Sequence, residues 1–208
     1  MANFLDSVCK RCRREGMKLF LKGERCFTEK CSFERRAYAP GQHGQRRSKL
    51  SEYGTQLREK QRAKHTYGVL ERQFRKYFHQ ADRMKGITGQ NLLQLLECRL
   101  DNMAFRLGFA ASRKAARQLV RHNHLTVNGK KVNIPSYLVK QDDVLAIVEA
   151  SQKIPAVLAS IESAKQRGIP EWLSLDDAKF TGKVNAIPSV EQIALPIQEQ
   201  LIVELYSK

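Results

Sequence analysis

The stretch Ser112-Arg-Lys-Ala-Ala-Arg-Gln-Leu-Val-Arg-His122-Asn-His-Leu-Thr-Val-Asn-Gly129-Lys-Lys-Val-Asn-Ile134 decides the reading of this chain. Ser112 is placed to cap a helix over Arg113 to His122, because its hydroxyl can accept from an otherwise unpaired N–H of the first turn. Ala116, Leu119 and Val120 then share an inward stripe. Arg113, Arg117 and Arg121 recur at four-residue steps over about 12 Å of helix axis. Three like charges in line repel one another, so the row calls for an anion to offset it. Behind the helix, Leu125 to Val127 and Lys130 to Ile134 flank Asn128-Gly129, a pair that accepts the positive φ of a two-residue hairpin turn. That turn sets Leu125 opposite Val132 on the packed side and puts Lys130 and Lys131 just past the tip. Helix followed by hairpin makes this region α+β.

Upstream, Leu100, Met103, Ala104 and Leu107 form a short apolar face ended by Gly108. Downstream, the pattern predicts a strand at Val144 to Val148 and a helix at Pro155 to Gly168 with Val157, Ile161 and Ala164 inward. A last strand follows at Trp172 to Leu175. Earlier in the chain the pattern is helical from Ser51. Leu70, Phe74, Tyr77, Phe78 and Ala81 make a core stripe with Gly86 as a stop, and Thr88 opens a helix carrying Leu92, Leu96 and Leu100 at four-residue steps. Cys98, inside this leucine-rich segment, reads as a small buried apolar residue. Ile197 to Tyr206 is apolar at Ile197, Leu201 and Leu205, as expected of a helix that docks, and it can return to the first helical region. Ala39 to Lys49 is a basic, glycine-containing linker.

The 208 residues carry 37 Lys and Arg against 21 Asp and Glu, a net charge of +16. The excess is polarised: residues 1–100 carry +13, residues 101–150 carry +4 and residues 151–208 carry −1. Solubility alone does not require such polarity, so the first two thirds are expected to face a polyanion. A membrane-surface protein would show a basic helix with a continuous apolar back, whereas here Arg and Lys also crowd loop-like segments, which favours nucleic acid. No apolar run reaches the length of a membrane span, and the first residues lack a secretory signal pattern, so a cytoplasmic location is expected.

Four of the five cysteines cluster as Cys9-x2-Cys12 and Cys26-x4-Cys31. Two close thiolate pairs can wrap a tetrahedral ion, and four thiolates leave no position for a reacting water. One structural zinc is therefore expected, ordering an arm over roughly residues 1–45, with Lys10, Arg11, Arg13 and Arg14 offsetting the negative site. An iron-sulfur cluster is the alternative occupant. Nothing supports catalysis. His43, His65, His79, His122 and His124 form no recognisable triad, and phosphate-binding glycine loops are absent from the sequence. Asp142-Asp143 and Asp176-Asp177 read as turns at strand ends. His122 and His124 can either stack on RNA or bond the carbonyls at a helix end.

The motifs also resemble a known family. Ser112 to His122 with Val127-Asn-Gly129 and Val132-Asn-Ile-Pro-Ser-Tyr137 is similar to the small RNA-binding module of the ribosomal S-four proteins. Arg14-Glu-Gly16, Leu19-Phe-Leu-Lys22, Ala39-Pro-Gly-Gln-His-Gly44, Tyr67-Gly-Val-Leu-Glu-Arg-Gln-Phe74, Arg99-Leu-Asp-Asn102 and Glu199 to Ser207 extend the likeness to the bacterial S-four family over nearly the full chain.

The resemblance implies a structural, non-enzymatic constituent of the small ribosomal subunit. Such a protein binds the 5′ domain of its ribosomal RNA at a helix junction early in assembly. It lies beside ribosomal proteins S-three and S-five near the mRNA entry path and contributes to translational accuracy. It also implies zinc on Cys9, Cys12, Cys26 and Cys31, as in some members.

The expected division is a zinc-binding arm at 1–45, a helical RNA-binding domain at 46–97 completed by a C-terminal helix at 195–208, and an S-four-type α+β domain with its extension at 98–194. Candidate RNA contacts are Arg13, Arg14, Arg35, Arg36, Arg46, Arg47, Lys49, Arg113, Arg117, Arg121, His122, Asn128, Lys130 and Lys131. Two rival readings stand beside this one. An RNA-modifying enzyme needs a catalytic domain for which no segment remains, and a zinc-containing DNA regulator needs a recognition helix and a dimer surface.

Overall fold

The computed structural model describes residues 6–46, 49–193 and 195–207. The chain divides into two compact units, one of Met1–Leu92 with Leu195–Lys208 and one of Leu93–Ala194. Its helices are α1 (Cys9–Glu15), α2 (Ser32–Arg35), α3 (Glu52–Thr66), α4 (Glu71–Arg83), α5 (Thr88–Glu97), α6 (Leu100–Arg106), α7 (Arg113–Arg121), α8 (Glu149–Gln152), α9 (Pro155–Arg167), α10 (Val190–Ile193) and α11 (Glu199–Tyr206). The strands are β1 (Leu125–Val127), β2 (Lys130–Lys131), β3 (Val144–Ile147), β4 (Leu173–Asp176) and β5 (Thr181–Val184). No helix among the described residues is long and apolar enough to cross a membrane.

In the first unit, Ser51 caps α3 by accepting from the Gly54 N–H at 3.1 Å. The stripe expected on α4 is buried at Phe74, Tyr77, Phe78 and Ala81, whereas Leu70, also expected in it, is the residue preceding the helix and is exposed. The C-terminal helix does return here, since α11 packs on α3 and its Ile202 is fully buried. Tyr206 stacks on Phe78 with ring centroids 4.3 Å apart. Polar ties surround that apolar contact. The Gln198 N–H donates to Glu59 Oε1 at 2.9 Å, Gln56 Nε2 to Glu204 Oε2 at 3.0 Å, and Tyr206 OH to Glu71 Oε1 at 3.1 Å. Glu71 also pairs with Lys60 at 2.8 Å and Lys64 at 3.0 Å. Burial alone would raise the Glu71 pKa, but the two ammonium groups outweigh it and bring it to about 2.

In the second unit, five antiparallel strands lie in the order β2-β1-β3-β5-β4. The hairpin has the expected register: Val127 faces Lys130, Thr126 faces Lys131, and the Val132 N–H reaches Leu125 O at 3.3 Å. Asn128 and Gly129 take the positive φ values of the turn, 50° and 77°. One core gathers Leu100, Met103, Leu107 and Phe109 of the α6 region, Ala116 and Val120 of α7, Leu125 and Leu145 of the sheet, Val157 and Ile161 of α9, and Trp172. Each fully buried leucine there contributes about 1.5–3 kcal/mol relative to exposure.

The sequence did not point to β5. Thr181-Gly-Lys-Val184 has only one large apolar residue, and its glycine argues against a strand by propensity. The packing explains the glycine, because a Cβ at Gly182 would lie 2.5 Å from the Leu107 side chain. Trp172 to Leu175, expected to be the last strand, is therefore followed by a partner that separates it from β3.

Candidate nucleic-acid interface

The arginine row of α7 does not act as one surface. Arg113 Nε donates to Asn102 Oδ1 at 2.7 Å, and its guanidinium lies 4.7 Å from the Phe105 ring centroid. Arg117 Nη1 pairs with Asp101 Oδ2 at 3.1 Å, and its side chain is only 15% exposed. Both belong to a buried ionic network. The carboxylate of Asp101 also takes Arg99 in a two-pronged pair at 2.7 and 3.0 Å, the geometry that makes arginine–carboxylate bonds strong. Asn102 Nδ2 donates to Glu97 Oε2 at 2.6 Å, and fully buried Glu97 holds Arg106 at 2.8 and 3.0 Å. α6 of the same chain thus supplies an anion to Arg117, in Asp101, and a neutral amide oxygen and an aromatic face to Arg113.

Arg121 is exposed and makes no ion pair among the described residues. Lys114, which the sequence reading passed over, is likewise exposed, and it stands seven residues before Arg121 on the same face of the helix. The sign that could have found it is the inward stripe: Arg113 lies three residues before Ala116, so the outward face runs through Lys114, Gln118 and Arg121. At the hairpin, Lys130 and Lys131 are exposed. Asn128 is committed to the fold, donating to Asp143 Oδ1 at 2.8 Å and accepting the Val144 N–H at 2.9 Å. His122 is exposed, whereas His124 is tied through Nδ1 to Ser151 Oγ at 2.8 Å.

In the first unit, Arg13 is spent on the loop that follows α2, donating from Nε to Tyr38 O at 3.0 Å with its guanidinium 5.0 Å from the Tyr38 ring. Arg14, Arg35, Arg36, Arg46 and Lys49 are exposed. Arg47 lies outside the described residues. Of the cysteines, Cys12, Cys26 and Cys31 are buried and Cys9 is half-buried. Burial raises the Cys12 thiol, the Leu19 N–H opposes it, and the nearby Cys26, Cys9 and Cys31 raise it further. The four sulfurs therefore share one neighbourhood, which matches the donor kinds of a thiolate site. Even so, among the described residues no group of three or more His, Cys, Asp or Glu stands ready to hold a metal ion. The zinc staple expected from the spacing is not shown by this arrangement. Cys98 is buried, and burial, with Glu97 adding, pushes its thiol to about 11, so it is inert.

Comparison with known proteins adds family membership to this geometry. Residues 3–97 match the family described as Ribosomal protein S4/S9 N-terminal domain, and residues 98–145 match the S4 domain. The chain belongs to the uS4 family. Relatives named small ribosomal subunit protein uS4 are 61% identical in Desulforapulum autotrophicum, 62% in Citrifermentans bemidjiense and 62% in Geobacter sp. strain M21. Each match covers the whole of both chains. In uS4 terms, the α6–α7 pair, β1 and β2 lie inside the S4 domain match, whereas α9, β4 and β5 lie beyond it.

Proposed function

We propose that this chain is a structural constituent of the small ribosomal subunit that binds the 5′ domain of small-subunit ribosomal RNA where helices converge. The observation that carries this is the set of exposed cations without carboxylate partners among the described residues. Lys114, Arg121, Lys130 and Lys131 form it in one unit, and Arg14, Arg35, Arg36, Arg46 and Lys49 form it in the other. Within the second unit, α7 and the β1–β2 hairpin hold Lys114, Arg121, Lys130 and Lys131 on regular elements, and the deep major groove of A-form RNA hides base edges, so a junction is discriminated largely by where its phosphates lie. Arg113 and Arg117 act here as supports of α7 rather than as its contacts, with His122 at the outward end of that helix.

The same reading places the protein in the cytoplasm, beside ribosomal proteins S-three and S-five near the mRNA entry path. There it contributes to early assembly and to translational accuracy. One zinc on Cys9, Cys12, Cys26 and Cys31 completes the proposal: the four thiols would release their protons to water and bind as thiolates, and the metal would order the arm. The test is titration of a 5′-domain junction transcript and of a scrambled RNA of equal length across a salt series. Preference for the junction is expected, with affinity falling roughly a thousandfold between about 50 and 200 mM salt for about six phosphate contacts. Equal binding of the two RNAs would refute the proposal.

A further inference from the structure

Away from the arginine helix, the loop that leaves α1 presents two phenylalanines to solvent. Phe20 and Phe27 stack on each other with ring centroids 5.0 Å apart and planes at 27°, yet Phe20 is 41% exposed and Phe27 66%. Water contact over so much aromatic surface is unfavourable, and the pair is held in place regardless. Phe20 sits at φ 49°, in the left-handed region where a bulky side chain is an outlier and where strain collects at functional positions. The loop is pinned around it. Leu19 is buried and its N–H bonds Cys12, while the Lys22 N–H reaches Cys26 Sγ at 3.3 Å.

The surroundings say what can cover the rings. Lys22, Glu24, Arg25, Thr28, Glu29 and Lys30 around them are all exposed and polar. Arg25 is steadied by donating from Nε to Lys30 O at 3.3 Å. Apart from half-buried Leu21, the residues beside the rings in sequence offer no exposed apolar surface, whereas the core of a protein–protein contact needs a broad desolvated patch. One outward aromatic face bordered by three cations and two carboxylates fits a flat heterocycle joined to phosphates.

We propose that the Phe20–Phe27 pair is a stacking platform for one unpaired nucleobase of a single-stranded RNA segment, with Lys22, Arg25 and Lys30 meeting the flanking phosphates. The proposal deepens the RNA-binding reading above and rests on it. Any base has a π face, so the platform is tolerant of sequence.

The test uses the full chain and a fluorescent, non-self-pairing RNA twelve-mer, read by anisotropy at low salt, alongside the folded junction transcript. Phe27→Leu keeps an apolar side chain and removes the π face, and it is expected to weaken oligonucleotide binding by about tenfold. Phe27→Trp is expected to bind as tightly as the parent or more so. Because Phe27 is mostly exposed, both variants should keep the parent's urea midpoint. Parent-like oligonucleotide binding by Phe27→Leu, or equal weakening by Phe27→Leu and Phe27→Trp, overturns the platform. So does a Phe27→Leu chain that binds both RNAs normally but fails to retain a neighbouring ribosomal protein, since the rings would then serve a protein. A parent chain that binds neither RNA would instead refute the RNA-binding reading itself.

Discussion

Replacing Arg117 and Arg121 separately by glutamine should produce opposite outcomes, although both belong to the same row on α7. Arg117 is 15% exposed and pairs with Asp101, itself 5% exposed. Removing one member of an isolated buried pair costs about 3–5 kcal/mol, because the remaining charge has no partner. Here Asp101 keeps Arg99 at 2.7 and 3.0 Å, so the loss reduces to that of a charge-assisted hydrogen bond, about 1.5–3 kcal/mol. For a unit of about a hundred residues each kcal/mol lowers Tm by about 4–8 °C. Arg121→Gln removes an exposed side chain and should change stability by less than about 0.5 kcal/mol. In RNA binding the order reverses. Arg121→Gln should lower the slope of log affinity against log salt by about 0.9, the signature of one lost phosphate contact on a duplex, and Arg117→Gln should leave the slope unchanged. Calorimetry and a salt titration on the two single variants decide it. A stable Arg117→Gln that loses a unit of salt slope would refute the assignment of Arg117 to the fold. Reversing all three arginines at once would be uninformative, since it would unfold the helix support and remove an RNA contact together.

Lowering the pH should destabilise the first unit through Glu71. Its folded pKa of about 2 lies below the usual carboxylate value of 4.5, so its contribution is complete above pH 4.5 and is lost as the pH falls toward 2. The Glu71 side chain is 38% exposed, so solvent screening limits the effect to about 1–2 kcal/mol. Glu71→Gln should flatten the stability profile over that window, and an unchanged profile would refute the pairing. Asn128→Ala should cost about 0.5–1.5 kcal/mol by removing the solvent-exposed hydrogen bonds to the Val144 N–H and Asp143, with no change in the salt slope of RNA binding. Loss of RNA affinity at unchanged stability would return Asn128 to the interface. Elemental analysis should find one zinc per chain, and chelation should expose four thiols to a labelling reagent while Cys98 stays unreactive. Near-zero metal with the same four thiols already accessible would refute the zinc proposal.

The elements set by apolar periodicity were legible because their stripes have one solution. Phe74, Tyr77, Phe78 and Ala81 can bury together only on a helix, and Asn128-Gly129 admits only a tight hairpin. β5 was illegible because its pattern depends on a distant residue: Gly182 is required by Leu107, 75 positions earlier, and local propensity carries no trace of that. The docking of α11 was half legible. That an apolar helix docks showed in the sequence, but the fully buried residue is Ile202 while the expected Leu201 and Leu205 are half-buried, and the polar ties to Glu59, Gln56 and Glu71 span 135 to 148 positions.

The candidate interface shows the same division between local and distant information. A row at i, i+4 and i+8 advances about 40° around the helix at each step, so its ends face directions about 80° apart. That rotation is enough to set Arg113 against Asn102 and Phe105 while Arg121 reaches solvent. The repulsion is met by an anion at Arg117, where Asp101 supplies it. Spacing alone could not say whose anion it would be. Asp101 and Asn102 were visible in the sequence as neighbours of Arg99, but only the packing of α6 on α7 brings them to the arginines. A basic row on a helix that packs beside an acidic residue of its neighbour should accordingly be divided by its angular position before it is assigned to a polyanion, and here that division leaves Lys114 and Arg121 as the solvent-exposed cations of α7.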